Sequence, residues 1–167
     1  IVSRNVNPLK EAVVSVTEIH AGTASNIIPE TARLTATIRS FDPDVRNLLK
    51  RRFHEIVEGI AAAHNVTAEV AYDWGYPATV NDAGKARFAA EIAAEIAGVA
   101  GVAADAGREM GAEDFSYLLE ARPGCYLFLG QGEGAGLHHS AYNFNDEAAP
   151  FGASFFARLV ERAQPLA

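Results

Sequence analysis

The sequence predicts an α+β fold of the ferredoxin-like kind over residues 1–76, joined to a second, helix-rich domain over residues 77–167. Three observations carry this. Two adjacent segments alternate as half-buried strands do, "AVVSVTEIHAG" (Ala12 to Gly22) and "TARLTATIRSF" (Thr31 to Phe41). A long amphipathic segment and then another β-branched, aromatic segment follow them. The resulting order, helix tail–strand–strand–helix–strand, is the ferredoxin-like one with its first strand missing in front.

Each element has its own signal. The opening "IVSRNVNPLKEAV" lacks a cap and reads as the end of a helix already under way. In the second strand Leu34, Ala36 and Ile38 face one way, Arg33, Thr35, Thr37 and Arg39 the other. The connection "TASNIIPE", with Asn26 and Pro29, suits a shaped loop better than a tight hairpin. In "FDPDVRNLLKRRFHEIVEGIAAAHN" Asp42 is placed to cap a helix and Pro43 takes its first position, where the missing N–H costs nothing. Val45, Leu48, Leu49, Phe53, Ile56, Val57 and Ile60 form its apolar stripe. "VTAEVAYDW" (Val66 to Trp74) is expected to be a strand. "GYPATVND" then breaks the pattern and marks the domain boundary.

Beyond the boundary, "AGKARFAAEIAAEIAGV" is an alanine-rich helix and "REMGAEDFSYLLEA" a loop feeding a short one, with Glu113 or Asp114 near its N-terminus. "GCYLFLG" (Gly124 to Gly130) reads as a short buried strand. "NDEAAPFGASFFARLVERA" reads as a final helix capped by Asn145 or Asp146.

Composition narrows the function. A net charge of −7 argues against a nucleic-acid backbone as partner, which needs a dense basic face. No apolar run reaches membrane-spanning length and no signal segment opens the chain. The single cysteine, Cys125, allows no internal disulfide, so a reducing, cytoplasmic setting is expected. It reads as a small buried hydrophobe.

Two motifs draw attention as sites. "GQGEGA" (Gly130 to Ala135) matches a dinucleotide fingerprint, but no helix opens after it to carry a pyrophosphate, and a flexible loop is the simpler reading. "GLHHSAYNFND" sets His138 beside His139. On an extended segment only one of the two points into a given pocket. Imidazole is the commonest metal ligand, and two surface histidines are the plain alternative. His54 and His64, on the long helix, are expected to be solvated, and His20 ends a strand. Asn26 reads as a turn residue or a substrate contact. Arg39 reads as solvated, paired with a carboxylate, or a substrate contact. Glu113 and Asp114 read as a helix cap or an acid/base pair.

Taken in order, "HAGTASNIIPETARLTATIRSFD", "GYPATVN", "EMGAEDFSYLLEARPGCYLFLGQG" and "GLHHSAYNFNDEAAPFGASFFARLV" resemble the second half of the hippurate hydrolase-like amidohydrolases. These belong to the metallopeptidase family that includes N-acyl-amino-acid amidohydrolases and plant auxin-conjugate hydrolases. The resemblance covers essentially the whole chain. It implies a ferredoxin-like lid domain that also dimerises, followed by the C-terminal part of an α/β catalytic domain. It further implies a homodimer, two divalent metal ions (zinc, manganese or similar) per complete site, and an N-acyl amino acid or small peptide as substrate.

The family's "L-H-x-P" metal ligand falls on His138, with His139 at the variable position and Ser140 where proline is usual. Its lid asparagine falls on Asn26 and its lid arginine on Arg39, both toward substrate, and "GAEDF" places Glu113 and Asp114 where they shape the site. The remaining ligands, the general-base glutamate and the lid histidine for the oxyanion would lie upstream of Ile1. The resemblance therefore implies a metal-dependent amidohydrolase of which this chain is a part, inactive alone. The alternative is a non-catalytic dimerising module derived from such an enzyme.

Overall fold

A single helical turn, α1 (Val2–Asn5), opens the computed structural model, which describes residues 1–164. The end of the 77–167 segment thus lies outside the described residues. Two strands, β1 (Ala12–Ala21) and β2 (Ala32–Ser40), follow as an antiparallel pair. Their register matches Val14 to Ile38 and Val16 to Ala36, then jumps so that Ile19 meets Leu34. The apolar positions of β1 run 12, 14, 16 and then 19, 21, a break in parity that would turn Ile19 to the wrong face. The extra residue at the bulge, Thr17, absorbs that break, and its hydroxyl donates to the Thr35 carbonyl at 3.3 Å.

The long helix α2 (Pro43–Ala63) packs on one end of this pair. Asp42 caps it as expected, its Oδ1 accepting from the amides of Asp44 at 2.8 Å and Val45 at 3.1 Å. Leu49 is fully buried and forms a small core with Val45 and Val6, against which Ala12, Val14 and Ile38 pack. The far half of the hairpin carries no such cover: Val16, Ile19 and Leu34 are all more than half exposed.

Residues Val66–Trp74, expected as a strand, are not one. A strand exists through its ladder, and among the described residues no strand pairs with this segment. Side chains hold the segment instead. Arg46, Lys50 and His54 stand at helical spacing on α2. Lys50 Nζ lies 4.5 Å from the Trp74 ring and 5.2 Å from that of Tyr72, Arg46 lies 5.0 Å from Trp74, and the His54 ring lies 5.9 Å from Tyr72. Arg46 also donates to the Trp74 carbonyl. His54, expected to be solvated, is therefore half-buried, with Nδ1 2.9 Å from the Lys50 carbonyl.

The described chain forms two compact units, Ile1–Ala78 with Met110–Ala112, and Thr79–Glu109 with residues from Glu113 onward. The second unit is built on α3 (Ala83–Ala97), capped by Asp82, whose Oδ1 accepts from the Lys85 amide at 2.9 Å. Gly98, at φ +74°, stops it. A short helix α4 (Phe115–Ala121) and a terminal helix α5 (Ala149–Ala163) follow. Ile92 is fully buried and Ala89 nearly so. Glu91 and Glu95 on α3 face Arg158 and Arg162 on α5; Arg158 Nε reaches Glu95 at 2.6 Å, and Arg162 pairs with the same carboxylate.

Gly124–Gly130 was expected as a buried strand and is irregular, with Leu127, Phe128 and Leu129 exposed. The reason repeats: it has no strand neighbour among the described residues. Asn81 imitates one, its carboxamide donating to the Tyr126 carbonyl at 2.9 Å and accepting from the Tyr126 amide at 2.7 Å.

Candidate functional site

The loop between the irregular Gly124–Gly130 segment and α5 carries both adjacent histidines. It is a pair of turns and not the extended stretch that the sequence suggested. The His139 amide donates to the Gly136 carbonyl at 3.1 Å and the Tyr142 amide to the His139 carbonyl at 2.9 Å. His138 sits at φ +67°. Residues with a β-carbon seldom enter this left-handed region, and histidine is among those found there more often.

The turn sorts the two imidazoles by a route other than strand alternation. His139 Nδ1 accepts the Ala141 amide at 3.1 Å, which spends that ring on the turn itself. His138 has no hydrogen-bond partner among the described residues and is exposed. Of the pair, it is the one with both ring nitrogens free.

Gln131 and Asn145 tie the two ends of this loop together. Gln131 Oε1 accepts from the Tyr142 hydroxyl at 3.2 Å and from the Asn145 amide at 3.2 Å, and its carbonyl accepts from Asn145 Nδ2 at 3.0 Å. Asn145 Oδ1 accepts from the Glu147 amide at 3.1 Å and so caps the short 3₁₀ turn, Asp146–Ala148, that enters α5. The sequence offered Asn145 or Asp146 as the cap, the structure uses Asn145, and Gln131 carried no assignment. Its only signal was an amide side chain alone among glycines.

Glu113 and Asp114 precede α4, and neither side chain caps it. Buried Ser116 donates its own hydroxyl to the Glu113 carbonyl at 2.7 Å, which satisfies the serine and leaves the first amides of α4 without a side-chain cap. The Glu113 carboxylate instead faces the Tyr126 hydroxyl. Burial pushes the Tyr126 phenol up from its usual range, and the hydrogen bond to Glu113 pushes in the same direction. Cys125, expected to be buried, is half-buried, and desolvation raises its thiol.

In the other unit, Asn26 lies exposed in the loop between β1 and β2, while Arg39 stands near the opposite end of β2. The strands are ten and nine residues long, so a length of roughly 30 Å separates the two ends of the hairpin. These two side chains therefore do not form one carboxylate clamp within a single chain. Arg39 is half-buried and donates through Nη1 to the Met110 carbonyl, which leaves the rest of its fork available. Met110 also lines a cleft with Val2, Val6 and Val13, the last being the cross-strand partner of Arg39.

No group of three or more His, Cys, Asp or Glu side chains among the described residues is arranged to hold a metal ion. Among the described residues this turn presents one imidazole, that of His138, with no hydrogen-bond partner. That fits one ligand of a metal site and does not make a site.

The chain belongs to peptidase family M20/M25/M40, whose family model matches residues 5–162. It is 35% identical to the hippurate hydrolase of Campylobacter jejuni over 96% of this chain and 42% of that protein. It is 40% identical to the N-acetyl-L-cysteine deacetylase of Bacillus subtilis over 99% of this chain and 38% of that protein. Among solved structures it superposes with a TM-score of 0.66 and 31% identity on the Bacillus subtilis YXEP protein, described as a dinuclear metal binding peptidase from the M20 family. That match covers 91% of this chain and 42% of the other. A putative aminohydrolase from methicillin-resistant Staphylococcus aureus shares the fold, with a TM-score of 0.73 at 20% identity. The chain thus spans about two fifths of the length of the curated relatives it matches.

Proposed function

We propose that this chain is the lid and the C-terminal catalytic portion of a metal-dependent amidohydrolase that cleaves the amide bond of N-acyl amino acids or small peptides. The observation that carries the reading is the family match over residues 5–162 together with a loop that leaves His138 as a free donor. In this reading residues 1–76 are the lid and residues 77–167 the return into the catalytic domain. His138 is one ligand of a divalent metal such as zinc or manganese. A bound pair of such ions supplies an activated water and Lewis-acid stabilisation of the oxyanion.

The other roles follow from placement. Arg39, anchored on one side by Met110, keeps guanidinium donors for a substrate carboxylate. Asn26 contacts substrate from the opposite end of the hairpin. Glu113 and Asp114 shape the site. The lid pairs two copies into a homodimer in the cytoplasm. The chain alone, with one ligand, does not turn over substrate.

A second reading has an observation of its own. The absence of a metal cluster among the described residues also suits a non-catalytic dimerising module of the same ancestry.

One experiment separates them. The natural gene product, purified from its source cells, is weighed by mass spectrometry and assayed on hippurate and N-acetyl amino acids with manganese. A mass well above 17.8 kDa with chelator-sensitive hydrolysis that is lost in His138→Ala is the expected result. A natural product of 17.8 kDa without hydrolysis replaces the enzyme by the module. Hydrolysis by the isolated chain that survives His138→Ala removes the histidine's role.

A further inference from the structure

The glycine-dense stretch "GQGEGAG" fails as a nucleotide loop, yet its one amide side chain makes contacts that a flexible tether would not need. We propose that Gln131 is a positioning residue: it closes the loop onto the entry of α5, so that His138 is presented by a fixed turn. The purpose of this clamp rests on the reading of His138 as a metal ligand; its geometry does not.

The contacts form a connected path. Gln131 Oε1 accepts the Asn145 amide, fourteen positions away, and the Tyr142 hydroxyl, each at 3.2 Å. The Gln131 carbonyl takes Asn145 Nδ2 at 3.0 Å. Tyr142, held by its hydroxyl, donates its own amide to the His139 carbonyl, and the His139 amide closes on Gly136. From Gln131 to the residue beside His138 is therefore a short chain of hydrogen bonds through Tyr142. Asn145 satisfies its amide, its Nδ2 and its Oδ1 at once, the last on the Glu147 amide at the start of the turn into α5.

The need for such a clamp follows from composition. Gly132, Gly134 and Gly136 lie between Gln131 and His138. A glycine-rich segment samples far more backbone states than other chains, so an untied histidine on it would be spread over many positions. His138 also sits at φ +67°, a conformation the isolated residue seldom adopts and that surrounding contacts must hold.

The chemistry makes a specific demand. A backbone amide can only donate, so the group that meets Asn145 N must be an acceptor, which assigns Oε1 there. Glutamate supplies the same acceptor geometry. Methionine keeps the length and supplies none of comparable strength.

The test is amide hydrogen exchange by NMR on the 167-residue chain. In Gln131→Met, exchange at His139, Tyr142 and Asn145 is expected to rise about tenfold, with α3 and α5 amides unchanged. Gln131→Glu is expected to restore protection. Unchanged exchange in Gln131→Met overturns the clamp. Acceleration that spreads through α3 and α5 makes Gln131 a general stability residue and also overturns it. Failure of Gln131→Glu to restore protection removes the acceptor role and the inference with it. The ligand reading is tested separately: chelator-sensitive hydrolysis by the natural gene product that survives His138→Ala removes it, and if the exchange pattern of the turn holds, the clamp stands.

Discussion

At the residue scale, most of the work is done by short polar side chains placed where the backbone runs out of partners. Asp42 closes α2, Asp82 closes α3 and Asn145 closes the turn before α5. Asp42 carries a second duty, an ion pair with Lys10. That hydrogen bond, followed by the Val45 amide, holds its carboxyl below the ordinary 3.8. A lowered folded-state pKa gives stability that is present above the ordinary value and is lost as pH falls through the lowered one. Glu55, beside Arg51 and Arg52, and Glu95, beside Arg158, act in the same direction. Both partners of each pair are solvent-facing, so each contribution is small and salt-sensitive. Helix content followed by circular dichroism is expected to fall with acid below pH 3.8, and Asp42→Asn, which keeps the cap oxygen, is expected to blunt that fall. Superimposable acid curves for the two proteins would refute the assignment.

At the element scale, each unit rests on few buried side chains. Leu49 anchors α2 on β1 and β2, and Ile92 sits buried on α3, the helix that α5 staples with its arginines. Removing a buried leucine or isoleucine side chain typically costs about 2–5 kcal/mol. Leu49→Ala is therefore expected to destabilise the first unit by an amount of that order and to leave exchange protection in α3 and α5 in place. Loss of protection across both units at once would show that the division is wrong. The same thinness explains why Val66–Trp74 is clasped by Arg46, Lys50 and His54: stacking on Tyr72 and Trp74 stands in for an absent ladder.

At the scale of the whole molecule, many large apolar side chains of the described residues stand exposed. Val16, Ile19 and Leu34 on the hairpin are bare, as are Phe128, Leu137 and Phe156 in the second unit. Exposed patches of this kind mark surfaces built to be covered. The chain spans about two fifths of the length of its curated relatives. Sedimentation velocity is expected to show association that grows with concentration; a single monomeric species at all concentrations would contradict it. No helix among the described residues is long and apolar enough to cross a membrane.

The sequence by itself determined what is encoded within a few residues. The start of α2 was legible from Asp42–Pro43. The half-buried pair β1 and β2 was legible from its alternation, and family membership from motifs in a fixed order. Candidate residues Asn26, Arg39, Glu113, Asp114 and His138 could likewise be named from those motifs. Only the tertiary structure decided matters that depend on distant partners. Val66–Trp74 and Gly124–Gly130 have strand-like composition, but a strand needs a neighbour, and composition does not say whether one is there. Which of the two adjacent histidines keeps both ring nitrogens unpartnered was set by a turn that spends the His139 imidazole on the Ala141 amide. Asn26 and Arg39, close in sequence, were parted by the length of a strand. Gln131, an unremarked residue among glycines, met its partner fourteen positions on. Local propensity acts through bonds and near neighbours and is written in the order of residues; ladders, clamps and free donors arise only when the chain has folded back on itself.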